Sequence, residues 1–339
     1  MYSLEKRCKM EQKNEMKWTI LKSSAQGLLD CLHCYTKSQL LEIASFYGMD
    51  GTRYRKHELA EKLEAEILAQ MPAVLKYSSS EDLRGLKLLL SEPDGPDGES
   101  AGIWTYQKRG WLFVFGEDGG RKFVVPPGVE AKIVRFLSNA KNRKTVVHNQ
   151  ELYRYARALA HLYGVYEKKQ LMRVWEEFHS TPLKKGELSR FLKITEKVYG
   201  DYRVEGRYVI SSKISDTRVC LNLMNEVKNL PYYIPDQEEI RLYYEEYVDV
   251  DAPEYKELRR FLEKRKHNPL SFAELMTALE DNLLLGGGVS QMFSLMKNAG
   301  IFLNETHEKE EFLACCARWQ KRTRQWRCRG FTPEEIIEE

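Results

Sequence analysis

The chain has 339 residues and a formal net charge of +3, with 42% hydrophobic and 30% charged residues. This composition excludes a disordered chain and predicts two or three domains with a substantial core. No apolar run approaches the roughly 20 residues of a membrane span, and residues 1–17 lack the apolar centre of a signal peptide. We therefore expect a cytoplasmic protein without a membrane partner.

The cysteines predict reduced thiols rather than a disulfide framework, because there are seven of them at irregular spacing. Cys31 and Cys34 enclose His33 in one CxxC motif. A structural zinc site needs a second pair of ligands at defined spacing, and none follows. We expect no metal site and no cofactor, and buried small side chains instead.

A helix–turn–helix hairpin is predicted over residues 36–68. Thr36 with Gln39 three residues later has the form of a capping box, and Gly48 ends the first helix. Apolar residues at helical spacing predict one small core shared by both helices. These residues are Leu40, Ile43, Ala44, Leu59, Leu63 and Ile67.

The start of the second helix of this hairpin is basic. Thr52 is its expected cap, and Arg53, Arg55 and Lys56 follow. A helix N-terminus already carries partial positive charge, so cations there favour a bound anion such as phosphate. A solvated basic turn with no ligand is the alternative.

A family resemblance rests on the spacing of ten residues in this hairpin: Leu40, Ile43, Ala44, Gly48, Met49, Gly51, Arg55, Lys56, Leu59 and Leu63. With these residues the segment resembles the N-terminal helical module of the transcription terminator Rho, and it is similar to the SAP helix–turn–helix. The resemblance implies a small helical domain that binds DNA or RNA through Arg55 and Lys56, with Arg53 beside them. Modules of this kind also contact proteins, so a protein partner stays open.

A further helix is predicted over residues 72–90, with Leu83, Leu86 and Leu90 on one side. Residues 91–100 are dense in proline, glycine and acidic side chains, and this composition is typical of a linker.

A β-hairpin is predicted next, from the β-prone residues Trp111–Phe115 and Lys122–Val125 on either side of a glycine-rich turn. A helix over residues 129–137 follows. A hairpin joined to short helices is typical of a winged helix, and Arg121 and Lys122 would then lie on its wing.

Residues 148–211 again combine helices with a β-hairpin, here with the helices first. Three helices are predicted, the first ending at Gly164 and the second before Pro182, and a strand-like segment at 202–211 turns at Gly206. A second winged-helix unit is one interpretation. A helical bundle carrying a β-hairpin is the alternative.

The last long helix is predicted from about residue 308 to residue 328, with Trp319 and Trp326 on its apolar face. Arginines surround that face, and Arg322 and Arg324 are candidates for phosphate binding, because a guanidinium group matches phosphate geometry. Cations near a helix C-terminus also complement the helix dipole, and this effect alone is the alternative explanation.

Charge is unevenly distributed along the chain. Residues 101–219 hold 23 Lys and Arg against 12 Asp and Glu, a net of +11, whereas residues 220–314 hold 10 against 18, a net of −8. This asymmetry predicts a basic region that meets a polyanion. Packing of the two regions against each other is the alternative.

No catalytic motif stands out. Gly286–Gly288 lacks the lysine and hydroxyl residue of a phosphate loop, and HExxH, GxSxG and GxGxxG patterns are missing from the sequence. The pattern from Leu162 through Tyr232–Pro235 to Arg324–Pro333 loosely resembles uncharacterised bacterial proteins of Firmicutes type, and this resemblance implies no activity. We therefore expect a protein that is not an enzyme.

We predict a mostly α-helical α+β protein in four parts. They are a helical module at 1–90, a linker at 91–100, a basic winged-helix-like region at 101–219 and a helical C-terminal region at 220–339. The leading function is binding of nucleic acid, either DNA or RNA, in bacterial or phage transcription regulation. The alternative is a non-catalytic protein-interaction scaffold.

Overall fold

The computed structural model describes residues 17–21, 25–91, 103–117, 120–265 and 269–337. The fold is α+β and mostly helical (66%), with two small three-stranded sheets. The chain divides into two compact units, Met1–Glu151 and Leu152–Glu339. This boundary falls inside the predicted region 101–219. Residues 92–100 of the predicted linker lie outside the described residues.

The first unit combines short helices with one sheet. Its elements in chain order are β1 (Thr19–Ile20), α1 (Leu28–Cys34), α2 (Lys37–Phe46), α3 (Lys56–Leu75), α4 (Ser80–Ser91), α5 (Ile103–Lys108), β2 (Phe113–Glu117), β3 (Gly120–Val124), α6 (Pro127–Ser138) and α7 (Ala140–Tyr163), the last of which crosses the unit boundary.

The helical hairpin of α2 and α3 forms as its capping and periodicity predict. Thr36 Oγ1 accepts the Gln39 N–H at 3.3 Å, and Gln39 Oε1 accepts the Thr36 N–H at 2.7 Å. Gly48 follows α2 with a φ of 74°, in the region that favours glycine. All six predicted core residues are fully buried: Leu40, Ile43, Ala44, Leu59, Leu63 and Ile67.

The predicted cap of α3 is wrong. The Thr52 hydroxyl donates to Asp50 Oδ1 at 2.6 Å and is therefore engaged in the turn. The helix starts later, at Lys56, with Arg55 in the cap position. The Arg55 N–H donates to Glu58 Oε2 at 2.9 Å, so a carboxylate from the first turn of α3 satisfies that backbone group.

The sheet of the first unit has the order β1-β2-β3. Strands β2 and β3 form the predicted antiparallel hairpin, with Phe113 opposite Val124. The sequence did not predict β1, which pairs in parallel with β2 and aligns Thr19 with Val114. Gln107 Nε2 donates to the Trp18 carbonyl at 3.2 Å and fixes the chain that leads into β1.

The second unit surrounds a larger helical core. Its elements after α7 are β4 (Val165–Glu167), α8 (Lys168–Phe178), α9 (Lys185–Tyr199), β5 (Tyr202–Glu205), β6 (Tyr208–Ser211), α10 (Thr217–Glu226), α11 (Gln237–Glu245), α12 (Pro253–Glu263), α13 (Pro269–Leu284), α14 (Val289–Asn298), α15 (Thr306–Arg322), a 3-10 helix (Trp326–Cys328) and α16 (Pro333–Ile337).

The second sheet has the order β4-β6-β5 and is antiparallel throughout. The hairpin of β5 and β6 was predicted, whereas β4 was not. Gly164 ends α7 as predicted, with a φ of 67°. Trp319 and Trp326 are buried in the core of this unit, where α12 packs on α15.

Two predicted helices have different limits in the structure. The helix over 72–90 is two helices, because α3 continues through Pro72 to Leu75 and α4 begins at Ser80. The last helix ends at Arg322, and a separate 3-10 turn carries Trp326. This break lets both tryptophans enter the core without a continuous helix between them.

No helix among the described residues is both long enough and apolar enough to cross a membrane.

Candidate nucleic-acid interface

The start of α3 presents the three predicted cations, all exposed. Arg53 lies 5.0 Å from the centre of the Tyr54 ring, at a cation–π distance. Lys56 Nζ donates to the His33 carbonyl at 2.7 Å. An acid, Asp50, also lies here. Its pKa is lowered mainly by hydrogen bonds from Thr52 and further by nearby Arg53.

A second basic helix start lies at the corner between α6 and α7, where Asn139 alone separates the two helices. Asn139 Oδ1 accepts the Lys141 N–H at 2.9 Å, and Asn142 Nδ2 donates to the Phe136 carbonyl at 3.1 Å. These bonds satisfy backbone groups at both helix ends, so they hold the corner in one conformation.

We call Arg135, Lys141, Arg143 and Lys144 the basic corner. All four side chains are exposed, and none has a carboxylate partner among the residues that the structure describes. Lys141 and Arg143 lie in the first turn of α7, where the helix dipole already disfavours cations, and Lys144 follows directly. The arrangement is electrostatically unfavourable for the isolated protein and becomes favourable when an anion binds.

The contacts of α6 place its start beside α3. A Cβ on Gly128 would meet the Leu68 side chain at 3.5 Å, so α6 begins beside the middle of α3. Its 12 residues span about 18 Å. Helix α6 also packs on α1, whose terminal His33 carbonyl binds the start of α3.

Helix α7 passes the end of α3, where Asn149 Nδ2 donates to the carbonyl of Lys76 at 2.9 Å. The basic corner lies about two turns before Asn149 along α7.

The sequence predicted Arg121 and Lys122 on the wing of a winged helix, which is its β-hairpin. Both lie on β3, the second strand of that hairpin, and both are exposed. Helix α6 follows β3 directly, so these cations precede the basic corner along the chain. Between residues 121 and 144 there are seven Lys and Arg and only Glu130 as an acid. This local excess of cations was the signal in the sequence for the basic corner, which the predicted site residues do not include.

Arg322 and Arg324, the two predicted cations of the second unit, have carboxylate partners. Arg322 Nη1 lies 2.8 Å from Glu254 Oε1, and this hydrogen bond lowers the pKa of Glu254. Arg324 Nε lies 2.8 Å from Glu239 Oε1, and its side chain is only 14% exposed. The role of these two arginines as phosphate ligands stays a prediction. A bound phosphate would have to replace the carboxylates that now pair with them.

The CxxC segment of the first unit offers one buried thiol. Cys31 Sγ contacts the Ala25 carbonyl at 3.3 Å, and burial raises the pKa of this thiol to about 12. His33 lies against His57, with ring centres 4.4 Å apart. Among the described residues, no three His, Cys, Asp or Glu side chains are grouped as metal ligands would be.

Comparison with protein-family models, curated proteins and solved structures finds no match for this chain. The resemblance of the helical hairpin to the Rho and SAP modules therefore stays a prediction, and function has to be argued from the residues themselves.

Proposed function

We propose that the protein binds nucleic acid through the basic corner of the first unit, with the basic start of α3 as a second contact. The observation that supports this best is the basic corner, where four exposed cations lack carboxylate partners among the described residues. Lys and Arg contacts to phosphates supply most of the affinity in non-specific binding of nucleic acid. The phosphate backbone is thus the partner whose chemistry fits this surface.

The contrast with the exposed arginines of residues 318–327 supports the same assignment. Arg318, Arg322 and Arg327 each form an ion pair with a glutamate. The glutamate beside each of these arginines also repels an approaching phosphate, so these cations attract phosphate less than cations without such a neighbour. We therefore assign the primary contact to the basic corner and a supporting contact to Arg53, Arg55 and Lys56. A winged-helix arrangement of residues 101–219 and a role in transcription belong to this proposal.

The test is fluorescence anisotropy of labelled duplex and single-stranded oligonucleotides, titrated at several salt concentrations. The logarithm of affinity is expected to fall linearly with the logarithm of salt, by about 0.9 per contacted phosphate on a duplex. The triple variant Lys141→Ala, Arg143→Ala, Lys144→Ala should bind more weakly, and its slope should be shallower by up to about 3. Alanine is compatible with the helical conformation of α7 at all three positions, so the fold should be retained.

A matched control removes three cations that already have partners. Lys256, Arg259 and Arg318 pair with Asp251, Glu263 and Glu257 at 2.7 Å, 2.7 Å and 2.5 Å. Their triple alanine variant has the same net charge as the basic-corner variant, and we expect it to keep affinity and salt slope. Equal losses in the two variants would mean that only net charge matters. Absence of binding at low salt would refute the proposal and favour the protein-interaction scaffold.

A further inference from the structure

A cavity of about 290 Å³ lies in the second unit, apart from the residues assigned to nucleic acid. Its wall is built by the turn into β4, the β5–β6 hairpin, α10 with the loop after it, and the 3-10 turn near residue 326. The volume is at the small end of the range for ligand sites, roughly 300–1,000 Å³. The cavity therefore suits a small molecule rather than a peptide or a duplex.

The wall of the cavity is positively charged. Arg207, Lys228 and Arg329 line it together with one acid, Glu167. That carboxylate is already compensated, because Glu167 Oε2 lies 2.7 Å from Lys169 Nζ and its other oxygen lies 3.8 Å from Arg207 Nε. Lys228 is exposed and has no carboxylate partner in the described part of the chain. The net charge of the wall favours an anion.

Arg329 is the most unusual residue of this wall. Its φ of 47° is the one positive value at a non-glycine residue among the residues described. Such a conformation is strained for a residue with a Cβ and is concentrated at functional sites. Its Nη1 donates to the Leu230 carbonyl at 2.6 Å, whereas its buried Nε has no hydrogen-bond partner. The guanidinium thus retains unused hydrogen-bonding capacity.

The other arginines of the same segment provide a comparison. Four of them form ion pairs with glutamates: Arg318, Arg322, Arg324 and Arg327. Arg329 has no such carboxylate partner in the described structure, although it lies two residues from Arg327. A guanidinium without a carboxylate, beside a cavity, is suited to the carboxylate or phosphate of a ligand.

Aromatic side chains form much of the remaining wall. The Arg329 guanidinium lies 4.4 Å from the centre of the Tyr232 ring, and the Arg207 guanidinium lies 4.9 Å from that of Tyr208. Trp326 and Tyr163 complete the apolar side. Rings beside cations favour a ligand that joins a planar ring to an anionic group.

We propose that this cavity binds a small anion that carries a planar ring, of the nucleoside monophosphate class. The phosphate would contact Arg329 and Lys228, and the base would lie against the tyrosines. This site is independent of the surface proposed for nucleic acid, so either proposal can fail without the other.

The test is isothermal titration of the full chain with adenosine, guanosine, cytidine and uridine monophosphates, with the nucleosides and inorganic phosphate as separate titrants. We expect saturable binding of at least one monophosphate and much weaker binding of its nucleoside and of phosphate. Arg329→Gly removes the guanidinium at a φ that glycine adopts freely, so the fold should be retained. This variant and Lys228→Ala should each weaken binding about tenfold or more.

Arg327→Ala is the matched control, because Arg327 pairs with Glu226 at 2.8 Å instead of lining the cavity. Unchanged affinity in this variant, and in the Lys141→Ala, Arg143→Ala, Lys144→Ala variant, would support the assignment. The proposal is refuted if no monophosphate binds at millimolar concentration, or if Arg329→Gly and Lys228→Ala bind normally. Equal affinity for inorganic phosphate would refute the requirement for a ring.

Discussion

Replacement of Gly164 by alanine should test how tightly the second unit packs around Trp326. A Cβ at position 164 would lie 2.4 Å from Trp326 Cδ2 and 2.7 Å from its Cε3. The indole cannot turn away easily, because it is 1% exposed and its Nε1 donates to the His161 carbonyl at 2.7 Å. Overpacking of this kind costs about 1–3 kcal/mol.

The backbone adds a second cost. Gly164 has a φ of 67°, where a residue with a Cβ is less stable by about 1–2 kcal/mol. We therefore expect Gly164→Ala to lower the free energy of unfolding by about 2–5 kcal/mol. Urea denaturation, followed by circular dichroism and by tryptophan fluorescence, would measure the loss.

Gly200 allows the two costs to be separated. Its φ is 74°, but a Cβ there would meet no atom within 4 Å. Gly200→Ala should therefore lose only the backbone contribution, about 1–2 kcal/mol. The difference between the variants, about 1–3 kcal/mol, measures the contact with Trp326. If both variants lose the same free energy, the indole moves without cost and the packing argument is wrong.

Three further predictions concern other sites. Leu59→Ala should destabilise the first unit by about 2–5 kcal/mol because Leu59 is fully buried, whereas Leu88→Ala, at a 42% exposed position, should cost under about 1 kcal/mol in the same denaturation assay. Burial raises the pKa of Glu280 to about 7, so the folded state still holds a proton that the unfolded state loses near pH 4.5. The free energy of unfolding therefore falls as the pH rises from about 4.5 through 7. Glu280→Gln should thus match the wild type near pH 4.5 and be more stable by roughly 1–3 kcal/mol at pH 8, and equal stabilities at pH 8 would contradict the burial of this carboxyl. Because burial raises the pKa of Cys31 to about 12, mass spectrometry after iodoacetamide treatment at pH 8 should find it unmodified in the folded protein and modified after denaturation, with the less buried Cys34 as the comparison.

The elements that the sequence predicted well are those whose signals are local. The Thr36 cap, Gly48 and Gly164 each act within a few residues, and the structure has helix boundaries where they occur. Strand β1 gave no such signal, since Thr19 finds its partner Val114 only 95 positions along the chain. Two residues are too few for an alternating pattern, so only the tertiary fold defines this strand.

The candidate site was predicted only in part for a related reason. Arg53, Arg55 and Lys56 stood out because they precede a recognisable helix, although the position of the cap depended on Asp50 and Glu58. The basic corner did not stand out, because its charges were counted within residues 101–219, a range that crosses the boundary between the two units. Which cations already have carboxylate partners is decided by tertiary contacts, and a sequence does not give these.

The position of β3 has a consequence for self-association. In the order β1-β2-β3 it is an edge strand, whose outward N–H and C=O groups can pair with a strand of another molecule. Arg121 and Lys122 are exposed on this edge. Two such edges approaching each other would bring four cations together, and charged edge residues are a common protection against aggregation. Neutralising this pair would therefore favour assembly of the chain into oligomers, so the cations of α7 are the better choice for binding experiments.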